Sequence, residues 1–148
     1  MAFATTILFF PYILINYTKY ISAMSKSTVR KMEKRSLGSS PDETITFEKG
    51  KFEIAKVGDT TIGRGYFEPG WSWEKCVKPI VKTNSCEAPH TQYFVSGRLK
   101  VVMDDGSEEE FGPGDTGVIP PGHNAWVVGS EPVVAIDFTG LKDYAKKS

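Results

Sequence analysis

Between Thr44 and Phe138 the apolar positions fall in short runs, and Gly, Pro, Asp and Ser interrupt them at intervals of about ten residues. The clearest run is YFVSGRLKVVM, where Tyr93, Val95, Leu99, Val101 and Met103 stand at even spacing. A period of two belongs to a strand with one buried face. DDGS at 104–107 reads as a tight hairpin turn, with Gly106 able to take positive φ. EEEF begins the return strand and GPGD breaks it. TGVIP, AWVVG and VVAIDF supply three more short apolar strands, with GSEP as the turn between the last two. Upstream, TITFEKGKFEIAKVGDT and TIGRGYFEPGWSWEK are rich in Thr, Ile, Val and aromatics, punctuated by Gly and Pro. No helical period of useful length occurs between residues 44 and 139. The pattern predicts an all-β fold, an antiparallel sandwich or barrel, with Leu99, Val101, Val118, Trp126, Val134 and Ile136 in its core.

The ends read differently. Residues 1–43 form an N-terminal extension and linker, residues 44–140 the β-domain, and residues 141–148 a polar tail. The apolar run Ile7 to Ile15 is broken by Pro11 and falls well short of the ~20 residues a helix needs to cross a bilayer. No positively charged stretch precedes it, against a signal peptide. Met24 opens MSKSTVRKMEKR, a plausible start for a soluble protein. Residues 1–23 are therefore expected to be a disordered or irregular extension; the alternative is a membrane tether or an export signal. A short basic helix over Val29 to Arg35 is a further expectation.

Composition narrows the function classes. The chain has 148 residues, enough for one domain with a real core. Its 18 Lys and Arg balance 18 Asp and Glu, and no basic patch is concentrated anywhere, so the electrostatic footprint of a nucleic-acid binder is missing. Cys76 and Cys86 are the only cysteines. They read as free thiols in a reducing compartment, which places the protein in the cytoplasm with no membrane contact; a disulfide between them is the alternative.

The stretch SGRLKVVMDDGSEEEFGPGDTGVIPPGHNAW resembles the core of a cupin, a small β-barrel built as a double-sheet jelly roll. Gly97 fits the closing glycine of the first cupin motif, and Gly114, Pro120 and Gly122 fit the framework of the second. The resemblance covers roughly residues 60–139. It implies an antiparallel double-stranded β-helix, and in the family at large metal-dependent oxygenation or isomerisation. The family's metal ligands do not carry over as written. Its glutamate position falls on His90 and its first two histidine positions on Asn84 and Cys86, or on Thr83 and Ser85 with the longer spacing. Its last histidine position is Ala125, and its asparagine is Gly129.

Cys86, His90 and His123 are the candidates for a replacement site. His90 and His123 are the chain's only two histidines, and both fall at or beside ligand positions of the resembled family. His123 is two residues before Ala125, so on a strand the two share a face. A Cys/His/His set suits a divalent transition metal such as zinc, iron or copper. Three protein ligands leave the fourth position of a tetrahedral centre open. The competing reading puts His123 on a solvated turn and makes Cys86 a small buried hydrophobe. Facing is a difficulty, because the stripe through Tyr93, Val95 and Leu99 lies opposite to His90, Gln92 and Phe94. A β-bulge at Gly97 would invert it part-way. Tyr66, Trp73, Gln92 and Trp126 are candidates to touch a small-molecule ligand, with Trp71 and Tyr93 as further aromatics that fill a core, an interface or a pocket rim. Three functions follow: a small-molecule binding or sensing protein with an atypical metal site, a metal-dependent oxygenase or isomerase, or an assembly barrel without a ligand. A homodimer is the expected state.

Overall fold

The structure, a computed structural model, describes residues 30–139. The chain divides into two units, residues 1–32 and 33–148; the second is described here. The expected extension over residues 1–23 and the polar tail lie outside the described residues. No helix runs over residues 30–35, and Val29 lies outside the described residues. Among the described residues no helix is long and apolar enough to cross a membrane.

Among the described residues nine strands carry the fold: β1 (Glu43–Phe47), β2 (Gly50–Val57), β3 (Thr60–Phe67), β4 (His90–Ser96), β5 (Arg98–Met103), β6 (Glu108–Phe111), β7 (Thr116–Ile119), β8 (His123–Val128) and β9 (Val133–Asp137). They form a six-stranded sheet, β1-β2-β3-β9-β4-β7, and a three-stranded sheet, β6-β5-β8. Every paired neighbour is antiparallel. This is the all-β antiparallel fold that the alternation predicts, arranged as the jelly roll that the cupin resemblance implies. Two short helices, α1 (Trp73–Cys76) and α2 (Lys78–Val81), depart from that expectation. One turn each is too brief to leave a helical period in the sequence. Ser72 caps α1 by accepting from the Lys75 backbone N–H at 3.4 Å.

The segment before β1 is tied to the sheet. Asp42 accepts from the Lys56 backbone N–H at 2.7 Å, and Glu33 from that of Gly58 at 2.9 Å. On β2, Glu53 is buried and pairs with Lys51 at 2.8 Å and with Arg64 through its Nε at 2.7 Å.

The run YFVSGRLKVVM is two strands in two sheets. β4 belongs to the larger sheet and β5 to the smaller, and the chain crosses between them at Gly97. The pairing of β4 with β9 slips between Phe94 and Ser96, which leaves Val95 as the extra residue of a bulge. Gly97 then takes φ +70°, and a Cβ there would stand 2.5 Å from the Pro132 carbonyl oxygen. The facing therefore inverts. His90, Gln92 and Phe94 point inward on β4, whereas Leu99 and Val101 do so on β5, and Tyr93 and Val95 face out.

That inversion also corrects part of the expected core. Leu99 and Val101 are buried as expected. Val118 is 70% exposed and Trp126 37% exposed, while Val134 and Ile136 are half-buried. Their strand neighbours Ile119, Ala125, Val127, Val133 and Ala135 take the interior instead. In VVAIDF both faces are apolar, so alternation could not tell the inner one. Phe52, Phe67, Trp71, Trp73 and Phe94 fill the space between the sheets. Phe94 stacks on Phe111 of the opposite sheet at 4.9 Å.

Candidate metal centre and its pocket

Three strand-level contacts bring the chemistry together. Cys86 lies outside the named strands but forms an isolated antiparallel bridge with His123, the first residue of β8. The Cys86 N–H donates to the His123 carbonyl at 2.8 Å, and the Gly122 N–H donates to the Cys86 carbonyl at 2.8 Å. His90 opens β4 and points inward beside them. Cys86, His90 and His123 are each 4% exposed. One donor atom from each lies within 4.8 Å of the other two, and Cys86 Sγ is 3.8 Å from His90 Nε2. The two imidazole rings meet edge to face at 5.4 Å. His123 is thus buried on the inner face, and the solvated-turn reading falls.

Both imidazoles are held through the nitrogen that does not face the cysteine. His90 Nδ1–H donates to Asp137 Oδ2 at 2.7 Å, and His123 Nδ1–H donates to the Pro120 carbonyl at 2.6 Å. A carboxylate and a carbonyl only accept, so each Nδ1 carries a proton and each Nε2 is the nitrogen left for a metal. This is the outer-shell arrangement that orients metal-bound histidines. Pro120 therefore does more than turn the chain between β7 and β8. Asp137 is fully buried and also accepts from Gln92 Nε2 at 3.0 Å and from the Thr139 N–H at 2.8 Å. The Thr139 hydroxyl donates to it as well.

The electrostatics follow from these contacts. Burial pushes the Cys86 thiol up, but hydrogen bonds from His123 and His90, with their charges, outweigh it and bring its pKa down to about 6. Burial pushes His90 down, but the Asp137 carboxylate and then Cys86 raise its pKa to about 9. Burial would raise Asp137, yet hydrogen bonds from His90 and Thr139 hold it below the usual carboxylate range. In the metal-free centre the thiolate and the imidazolium stabilise one another.

The group opens on a cavity of about 20 Å³, room for about one water molecule, lined by Phe52, Phe67, Trp71, Trp73, Leu99 and Ile119 among others. Of the residues expected to touch a ligand, Trp73 and Gln92 line it. Tyr66 and Trp126 do not: each alternates with buried neighbours on its strand and faces away. Cys76 and Cys86 are both free and buried, so the disulfide alternative is set aside. Ala125, the resembled family's last histidine position, lines the same cavity two residues from His123. Asp137 escaped sequence reasoning, although a lone acid inside VVAIDF carried a signal. Trp71, for which the sequence leaves core, interface and pocket rim open, lines the cavity as well.

The donor set fits a metal. A tetrahedral zinc with bonds of about 2.3 Å to sulfur and 2.0–2.1 Å to nitrogen needs its ligands roughly 3.5 Å apart, and the 3.8 Å pair is near that already. All three donors lie within 4.8 Å of one another, so closing the set onto a metal takes at most about 1.3 Å in any separation.

Residues 69–144 match the family described as the EutQ-like cupin domain. The chain belongs to this cupin family. No curated protein matches it. Among solved structures, an RmlC-like cupin from Shewanella frigidimarina is 16% identical, with a TM-score of 0.51, over 78% of this chain and 97% of that one. A protein of unknown function from Acidithiobacillus ferrooxidans is 18% identical with a TM-score of 0.50, over 67% of this chain and 88% of that one. These two likenesses show the fold. A variant of Bacillus subtilis oxalate decarboxylase is 26% identical with a TM-score of 0.49, over 73% of this chain and 29% of that enzyme.

Proposed function

We propose that this cupin binds one divalent transition metal through Cys86, His90 and His123 and uses the open position to hold a small molecule in the apolar pocket. The observation that carries the reading is the convergence of three buried donors within 4.8 Å, with each histidine's Nδ1 already engaged. Zinc, iron and copper all accept such donors. The metal would supply a Lewis-acidic site for a ligand oxygen; Trp73 and Gln92 would form part of the wall around it. Cytoplasmic residence belongs to the same reading, since a thiolate ligand persists best under reducing conditions.

The binding or sensing role is preferred to an oxygenase or isomerase role for one reason. The titratable side chains that line the pocket are Cys86, His90 and His123. With all three on a metal, none of them is left to move a substrate proton.

Metal analysis of the purified protein tests the proposal. About one equivalent of a single transition metal is expected, and Cys86→Ser should lose most of it while remaining folded. A protein that takes up no zinc, iron or copper at stoichiometric level under reducing conditions would overturn the reading.

A further inference from the structure

The outer face of the larger sheet is apolar where a sheet that meets water alternates to polar residues. On β9 the inward Val133, Ala135 and Asp137 alternate with Val134 and Ile136. The ladder runs on to Phe138, whose N–H donates to the Thr91 carbonyl at 2.9 Å. β4 turns Tyr93 and Val95 outward, β3 turns Ile62 and Tyr66, and β7 turns Val118. The pairing register makes one patch of them: Tyr66 stands beside Val134, Ile136 beside Tyr93, and Val118 beside Thr91. Tyr93 is 43% exposed, Val95 49%, Phe138 51% and Val118 70%.

The described chain covers only one side of this face. The turn closed by the Ser36–Ser40 bridge lies against Arg64 of β3, since a Cβ on Gly38 would stand 3.3 Å from the guanidinium. Arg64 is the one charged residue among the outward positions of β3, β9, β4 and β7, and its Nε already donates to Glu53 at 2.7 Å. A face without free charge offers nothing to a strongly charged partner and meets no unpaired like charge in its own copy. The chain's 18 basic and 18 acidic residues leave two copies no long-range repulsion either. Four strands about 4.8 Å apart, with outward rows about 6.8 Å apart, make a bare face of roughly 20 by 20 Å. That is large enough for the apolar centre of an interface; Thr91, Thr116 and the 36–40 turn extend it as a polar rim toward the ~800 Å² per partner of a stable pair. A face that is apolar at all times calls for a cover that is always at hand, and a twofold pair supplies the same face from a second copy. We infer that two copies of this chain pair sheet against sheet through the outer face of β3-β9-β4-β7. Tyr93, Val95, Ile136 and Phe138 lie at the centre of the contact, and Val118, on the edge strand, lies at its rim. The inference gives the expected homodimer its surface and does not depend on the metal reading.

Sedimentation velocity of the full chain under reducing conditions tests it. The parent should run as a dimer at about 10 µM. Val95→Glu and Phe138→Glu would each bury an unpaired carboxylate in the contact and should raise the dimer dissociation constant about a hundredfold. Both positions are about half exposed in the single chain, so each variant should keep its fold, checked by circular dichroism. Val102→Lys, on the outer face of the smaller sheet, should leave the dimer unchanged. A dimer that both glutamate variants leave intact overturns the inference. So does a parent that stays monomeric at about 100 µM. Maleimide labelling of Val95→Cys then tells which other cover applies: ready labelling means a face left for a different protein, and protection means a face covered by the chain's own residues.

Discussion

Asp137 is 0% exposed and keeps its charge by accepting from His90, Gln92 and Thr139 together. Its effect on the centre runs through His90, whose ring orientation and tautomer it fixes. Asp137→Asn should weaken zinc binding about 10–100-fold, the usual cost of losing an outer-shell partner, with circular dichroism confirming the fold. A competition assay with a chromophoric chelator reads this directly. The same residues set a pH signature in the metal-free protein. His90, raised to about 9 from 6.5, contributes stability that is present below pH 6.5 and lost as pH rises through 9. Cys86, lowered to about 6 from 9.0, contributes stability that is present above pH 9 and lost as pH falls through 6. Between about 6.5 and 9 the folded state holds one extra proton on His90 and one fewer on Cys86, so the two slopes cancel. Chemical denaturation should find stability nearly flat across that window. In Cys86→Ser the opposing slope is gone, and stability should fall as pH rises. A wild-type curve as steep as the variant's would contradict the thiolate–imidazolium pair.

At the scale of elements, the bulge at Val95 and the crossing at Gly97 decide which side chains meet the core. Phe94 is 0% exposed and stacks on Phe111, whereas Val118 on β7 is 70% exposed. Phe94→Ala should therefore cost about 3–5 kcal/mol, and Val118→Ala should stay within about 0.5 kcal/mol of the parent. Urea unfolding of the two variants checks both. Equal costs would mean that the stripe through Tyr93 and Val95 faces inward after all. The element order and the DDGS hairpin were legible because period-two runs and turn residues are local signals. The two one-turn helices were not, because four residues are too few to show a period and α1 is held by a Ser72 cap and by burial of Trp73 and Cys76.

For the whole molecule, a metal that binds the folded chain and not the unfolded one raises stability by mass action, about 2.7 kcal/mol at a hundred times the dissociation constant. For a domain of this size that is a rise in melting temperature of about 5 °C or more. Calorimetry with and without excess zinc should show it for the parent and not for Cys86→Ser. What the sequence determined by itself was the all-β class, the hairpin, the cupin framework glycines and the three candidate donors, since each depends on residue type at short spacing. The tertiary structure alone decided which face of each strand is buried. Alternation fixes only relative facing, and one extra residue at a bulge reverses it. It also decided that Cys86 meets His123 across a bridge, that Asp137 and Pro120 stand behind the two histidines, and that Trp71 turns into the same cavity. Those contacts join residues far apart in the chain, and only the closing of two sheets over one core puts them within bonding reach.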